Sequence, residues 1–243
     1  LPSGSLQLAL ERPETFEVRL NGGAPVDTNT ASGWWVDASL RTLNLDPADL
    51  RLGENTLDLV CRYDETHSGL EMIYLLGTFG VAVKGLRSTM VAAPASLRLG
   101  DWTRQGLPFY SGSVCYTTKL AAKPAKGCRL VIQVGEFRGT AVRVLVDGRE
   151  AGLVAWPPYE LDITDAVAAA LGAKSASGKQ TSVTLGIEIL GHRRNSHGPM
   201  HLNEKWPRWT GPGQYAPGDH QLTDRYQLVP CGLMGAPKLL MRK

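Results

Sequence analysis

Apolar and polar residues alternate with a period of two along most of this chain, and that limits its fold more than any other feature. Leu6, Leu8 and Leu10 form one such run, Phe16, Val18 and Leu20 a second, and Leu57, Leu59 and Cys61 a third. Further on, Val114, Tyr116, Thr118 and Leu120 alternate with other residues, then Leu130, Ile132 and Val134, then Val142, Val144 and Val146, then Val183, Leu185, Ile187 and Ile189. A strand points successive side chains to opposite faces, so each run offers one face to a core and the other to water. Gly and Pro, 27 and 15 among 243 residues, fall between the runs with Asn and Asp clusters. Many short strands punctuated in this way predict an all-β sandwich or barrel. Helical signals are few. Asp46-Pro47-Ala48-Asp49-Leu50 reads as a single turn, and Thr164-Asp165 can cap a short helix over 166–171 that Gly172 ends.

The pattern occurs twice. Val18-Arg19-Leu20-Asn21-Gly22 leads through a loop and a helical turn to Leu57-Asp58-Leu59-Val60. Val144-Leu145-Val146-Asp147-Gly148 leads through Leu161-Asp162-Ile163-Thr164 and a short helix to the strand 183–189. Asn-Gly and Asp-Gly after a strand are strong turn signals, because both residues tolerate φ > 0. A linker is expected from Gly85 to Pro94, dividing the chain into units 1–90 and 91–243. The first is short for a complete sandwich, so its first strands are expected upstream of Leu1 or from the second unit. A start at Leu1, without Met or a leader, reads as a processed or excised chain.

Composition removes several function classes. Lys and Arg number 26 against 23 Asp and Glu, a formal net charge of +3, which gives no concentrated basic face for nucleic acid. No apolar run approaches the ~20 residues that cross a bilayer. Cys61, Cys115, Cys128 and Cys231 form no Cys-x-x-Cys pair, so a zinc ribbon or a thioredoxin-like site is not indicated. The first three lie in apolar strand-like runs and read as small buried hydrophobes, with a structural disulfide as the alternative in an exported chain.

Several segments carry a resemblance. Val144-Leu145-Val146-Asp147-Gly148, then Gly152, then the segment from Trp156-Pro157-Pro158-Tyr159 through Leu161-Asp162-Ile163-Thr164 resemble the jelly-roll sugar-binding domain of family 2 glycoside hydrolases. That family shows a V-x-V-N-G hairpin, an aromatic-Pro segment and D-I-T before a short helix, followed by L-x-x-G-x-N-x-L-x-V. The first unit has the last element as Leu50 to Leu59, with Gly53 and Asn55 in place; the second replaces it with the longer stretch from Gly172 to Gln180. Further segments are similar to the tandem galactose-binding-like modules of large bacterial glycosidases, including rhamnosidase-like ones: Glu71 to Val81, Trp102 to Gly112, Arg194 to His201, and Tyr226 to Leu233. The resemblance implies two tandem jelly-roll, galactose-binding-domain-like units that are non-catalytic accessories of a larger secreted bacterial enzyme. It implies an extracellular or periplasmic location and, as partners, a polysaccharide or oligosaccharide and the catalytic domain of the same protein. It also makes a structural calcium ion plausible, held by 6–8 loop oxygens. No other cofactor is expected. The catalytic parts of such enzymes lie on a separate barrel, and a (β/α)₈ barrel needs alternating helices that this chain lacks.

Glycoside hydrolysis needs paired carboxylates ~5 to 9.5 Å apart. Glu136, Glu160, Asp162 and Glu188 fall in or beside strands, but Asp162 is better explained by local backbone hydrogen bonding, and no catalytic residue is assigned. His192, His197 and His201 cluster, but Gly198-Pro199 breaks any helix that would align them for zinc, so a polar loop is the plainer reading.

The aromatics are the better lead. Trp34 and Trp35, and Trp206, Trp209 and Tyr215 in a Pro/Gly-rich stretch, could cover the C–H face of a sugar ring. Arg194, Asn195, His197 and His201 would take its hydroxyls, and Arg194 suits an acidic sugar's carboxylate. The competing reading is that these rings plug the sandwich ends and that Arg194 and Asn195 only pin a loop. Trp102, Trp156 and Tyr159 are assigned to the scaffold. The expected function is a carbohydrate-binding accessory module; the alternative is a spacer that packs on the catalytic domain and binds no glycan.

Overall fold

The computed structural model describes residues 4–67, 69–121, 125–176, 182–204, 210–215 and 218–243. In chain order the first strands are β1 (Leu6–Glu11), β2 (Phe16–Leu20), β3 (Leu40–Leu45), β4 (Leu57–Cys61), β5 (Tyr74–Gly77), β6 (Gly80–Lys84) and β7 (Arg87–Val91). They are followed by β8 (Ser113–Leu120), β9 (Arg129–Gln133), β10 (Phe137–Arg138), β11 (Ala141–Val146), β12 (Arg149–Val154) and β13 (Glu160–Asp162). Helix α1 (Thr164–Ala176), β14 (Val183–Leu190), helix α2 (Arg194–His197), β15 (Gly232–Leu233) and β16 (Lys238–Arg242) complete the order. Backbone contacts group Leu1–Ala82 with Ser88–Ala95 as unit 1, and Val83–Arg87 with Ser96–Lys243 as unit 2. Where a linker was expected, β6 and β7 pair as a two-stranded ribbon. Its turn is at Gly85, whose φ of 60° suits a residue without Cβ.

In unit 1, β1 lies between β3 and β5 in an antiparallel sheet, with Leu8 opposite Leu43 on one side and Leu75 on the other. A second sheet pairs β2 with β4, Val18 opposite Leu59. Leu6, Leu8, Leu10 and Val18 are buried together, as their alternation predicts, and Leu43 and Leu45 of β3 join them.

Unit 2 is the larger sandwich. One antiparallel sheet has the order β12-β11-β14-β8, another β13-β9-β16, and β10 pairs with β15. Val142, Val144, Val146, Val183, Leu185, Ile187 and Ile189 bury their side chains with Leu130, Ile132 and Val134, around a fully buried Trp102. Each such side chain contributes roughly 1.5–3 kcal/mol on leaving water. The chain is therefore an all-β, antiparallel sandwich protein.

Helix α1 is longer than expected. Gly172 does not end it; the helix runs on to Ala176. Lys174 donates to Asp147 Oδ1 at 2.9 Å and to Ser182 O at 2.7 Å, which gives the last turn a reason to stay helical. At its start, Asp162 Oδ1 accepts the Thr164 amide, and Thr164 Oγ accepts the Leu130 amide, tying the helix to β9.

The cysteines match the expected free state but not the expected burial. All four are free, and Cys115 is exposed because it takes an outward position of β8. Cys128 stands just before β9 rather than within it. Cys231 is the buried one, and burial pushes its thiol up to about 11. No helix among the described residues is long and apolar enough to cross a membrane.

Candidate functional site

A cavity of about 600 Å³ opens at one end of the unit 2 sandwich, within the range that holds a small ligand. Its walls come from connections, not strand centres. Gly135 and Glu136 follow β9, Gly139 and Thr140 precede β11, Ala155 follows β12, Tyr159 precedes β13, His192 and Arg194 follow β14, and Val229 and Pro230 precede β15. Antiparallel order brings these segments to the same end. Gly139 lets two of them meet: an added Cβ there would fall 2.6 Å from Leu190 O. Thr140 Oγ donates to Gly191 O at 3.0 Å beside it.

Aromatic and cationic groups share the walls. The Phe137 and Tyr159 rings pack edge to face, with centroids 5.2 Å apart. Arg194 lies half-buried with Nη1 donating to Pro199 O at 2.9 Å, while its Nη2 is buried without a partner among the described residues. Burial pushes this guanidinium below its ordinary pKa. The guanidinium folds back over Gly198, where an added Cβ would fall 2.4 Å from Nη1. His192 Nε2 lies 3.4 Å from Pro230 O, and its Nδ1 is buried without a partner among the described residues. Arg138 pairs with Glu136 at 3.1 Å.

The residues singled out from the sequence are placed as follows. Arg194 lines the cavity. Asn195 is 1% exposed, donates to Val229 O at 2.7 Å and accepts the Val229 amide at 2.8 Å, so it pins the loop that carries its neighbour. His197 Nδ1 lies 2.7 Å from Ser196 Oγ, and burial, with the Arg193 charge second, lowers its pKa. Tyr215 is exposed and its hydroxyl donates to His197 O at 2.6 Å. The His201 ring packs on Tyr226 with centroids 4.5 Å apart. Trp34 and Trp35 belong to unit 1; Trp34 is exposed, and Trp35 packs on Tyr74 at 4.8 Å. Trp206 and Trp209 lie outside the described residues. Among the described residues no group of three or more His, Cys, Asp or Glu side chains gathers to hold a metal.

Sequence reasoning assigned Trp156 to the scaffold, and the structure corrects this: its side chain is 76% exposed in the turn between Ala155 and Tyr159. Trp102, by contrast, is core. Phe137, Tyr159 and His192 were not recognised as wall residues. The signal for Trp156 was present in its neighbours, because Pro157 and Pro158 cannot donate to a strand ladder and so leave the aromatics outside regular sheet.

The four carboxylates considered for hydrolysis are each engaged with arginine. Glu160 binds both Nη atoms of Arg242 at 2.8 Å, and Arg242 holds its carboxyl below the usual range. Asp162 joins Thr164 and Arg129, and its pKa falls to about 2, mainly through its hydrogen bonds with Thr164. Glu188 pairs with Arg143 at 2.9 Å, and Glu136 with Arg138.

No family model matches the chain, and no curated protein matches it. Among solved structures it is similar to a rhamnosidase from Novosphingobium sp. PP1Y, at 20% identity and a TM-score of 0.37, covering 99% of this chain and 21% of that one. It is also similar to a β-glucuronidase from Parabacteroides merdae, at 23% identity and a TM-score of 0.36, covering 56% of this chain and 15% of that one. Both neighbours are glycoside hydrolases, and the chain spans a minor part of either.

Proposed function

We propose that this chain is a carbohydrate-binding accessory module of a larger glycoside hydrolase, one that holds glycan and does not cleave it. The observation that carries the reading is the cavity at the end of the unit 2 sandwich, where the Phe137 and Tyr159 rings meet Thr140, His192 and Arg194. A sugar needs an apolar wall for its C–H face and donors for its hydroxyls, and this cavity supplies both. Covering roughly 100 Å² of ring at ~25 cal/mol/Å² contributes approximately 2 to 3 kcal/mol before ordering costs. With a few hydrogen bonds added, affinities of about millimolar to micromolar follow. Non-catalytic binding is supported by the carboxylates, since Glu136, Glu160, Asp162 and Glu188 are each committed to an arginine. On this reading the module is exported with its enzyme, and its partners are a polysaccharide or oligosaccharide and the catalytic domain.

The test is affinity-gel electrophoresis and titration of the full chain against a glycan panel. Retardation that weakens in a folded Tyr159→Ala variant is expected; release of reducing sugar by the repurified chain would overturn the non-catalytic part. A second reading, a spacer that packs on the catalytic domain, has its own support in unit 1. Leu70, Met72, Ile73 and Leu75 are all more than a third exposed within a short stretch, an apolar surface of the kind another domain covers. Failure of every glycan in the panel to bind would favour it.

A further inference from the structure

We infer that the unit 2 cavity selects an acidic sugar, a uronate residue whose carboxylate docks on Arg194. This rests on the glycan-binding reading above and narrows it to a ligand class. The first support is the charge balance of the walls. The lining residues include two guanidiniums, Arg138 and Arg194, and one carboxylate, Glu136. Glu136 is engaged by Arg138. Arg194 has no carboxylate within ion-pair distance among the described residues, so its charge is left for a ligand to neutralise.

The second support is how Arg194 is held. Pro199 O takes Nη1, and the bare backbone of Gly198 lets the guanidinium fold back close to its own chain. Asn195, by exchanging two hydrogen bonds with Val229, fixes the short helix on which Arg194 sits. A guanidinium positioned in this way loses little conformational freedom when a ligand meets it. A carboxylate is the ligand group that answers this unpaired charge, because it forms charge-assisted hydrogen bonds with a guanidinium.

The third support separates a uronate from a bare inorganic anion. Phe137 and Tyr159 form an apolar wall of the same cavity, and the exposed Trp156 stands in the turn between the lining residues Ala155 and Tyr159. An inorganic anion has no use for those rings. A pyranose ring carrying a carboxylate uses both halves of the site.

The experiment titrates the full chain with oligomers of galacturonate, glucuronate and mannuronate, their methyl esters, and the corresponding neutral oligosaccharides, at low and at moderate salt. At least one uronate is expected to bind roughly tenfold tighter than its own methyl ester, the contribution of one charge-assisted hydrogen bond. Arg194→Gln should abolish that preference. Arg149→Gln, at the other end of β12, should retain it and so controls for bulk charge. The acid–ester comparison uses the native chain, so it decides the matter even if Arg194→Gln fails to fold. Equal binding of acids and esters would overturn the uronate inference while leaving glycan binding intact. Binding of none of the sugars would overturn both. A preference that survives in folded Arg194→Gln, or a sulfated galactan bound more tightly than every uronate, would also overturn the inference as stated.

Discussion

The turns Asn21-Gly22 in unit 1 and Asp147-Gly148 in unit 2 have nearly the same backbone and different supports. Their φ angles are 52° and 68° in the first, 50° and 78° in the second. In each, the first residue's amide donates to a distant threonine carbonyl, Asn21 to Thr56 at 2.7 Å and Asp147 to Thr184 at 2.8 Å. In each, the side-chain oxygen accepts that threonine's amide in return. The third partner differs. Asn21 Nδ2 donates to Asn55 Oδ1 and to Asp49 O, whereas the Asp147 carboxylate receives Lys174 from α1. Where the Gly-x-Asn loop is replaced by a helix, the amide that served the loop is replaced by a carboxylate that serves a lysine.

The likeness extends to the sheets. The order β3-β1-β5 in unit 1 parallels β13-β9-β16 in unit 2, and the pair β2-β4 parallels β11-β14. Asp46 accepts the amide two residues on, as Asp162 does before α1. Unit 2 adds β8 beside β14 and β12 beside β11; the counterpart of β12 in unit 1 is a single bridge between Val18 and Val26. The cavity belongs to the elaborated copy, in the connections that surround the added strands.

The largest expected effect comes from the unit 2 core. Trp102→Ala should cost about 3–5 kcal/mol, because its cavity can only partly collapse. Hydrogen exchange should show β8, β9, β11 and β14 losing protection while β1 and β3 keep theirs; simultaneous loss in both units would break the picture of two separate cores. Next, the two turns should respond unequally to the same chemical swap. Asn21→Asp removes both donors of Nδ2 and sets a carboxylate against two acceptors, a loss of about 1–3 kcal/mol in denaturant unfolding. Asp147→Asn keeps the acceptor for Thr184 and loses one partly exposed ion pair, a cost of about 1 kcal/mol or less. Equal losses would show that the third partner does not matter.

Acid should separate the units further. Hydrogen bonds with Lys174 and Thr184 lower the pKa of Asp147, and Glu160 and Asp162 are lowered as well, all in unit 2. Unit 1 contains Asp64, lowered by its bonds with Thr66. A depressed carboxylate binds its proton more tightly in the unfolded chain, so its stabilisation is present above the ordinary value and lost as pH falls through the folded one. For Asp162 that window runs from 3.8 down to about 2. Unit 2 protection should therefore fall more steeply than that of unit 1 over this range, and Asp147→Asn should flatten the slope. The smallest effect on stability belongs to Trp156→Ala, within about 0.5 kcal/mol as for an exposed side chain. The same variant should weaken glycan binding severalfold, and unchanged binding would remove Trp156 from the site.

Much of the fold was legible because its signal is local. Alternation at Leu6, Leu8 and Leu10, or at Val142, Val144 and Val146, reflects the two-residue period of any strand, and these side chains are buried. Asn21-Gly22 and Asp147-Gly148 were legible as turns for the same reason. Gly172 misled because the contact that extends α1, Lys174 with Asp147, joins residues 27 apart. Trp156 misled because it was read by the strands it flanks, although Pro157 and Pro158 mark its segment as outside regular sheet.

The candidate site was half legible. Arg194 and Asn195 stood out by type, but their neighbours did not. Asn195 meets Val229 across 34 residues, and the Phe137–Tyr159 pair joins two separate connections. Residue order alone was enough to specify antiparallel strands in a repeated pattern, since backbone sterics and burial act over a few residues at a time. Which loop residues share a wall, which arginine keeps an unpaired nitrogen, and which tryptophan faces solvent were settled by packing distant segments together, where contact depends on strand order and register.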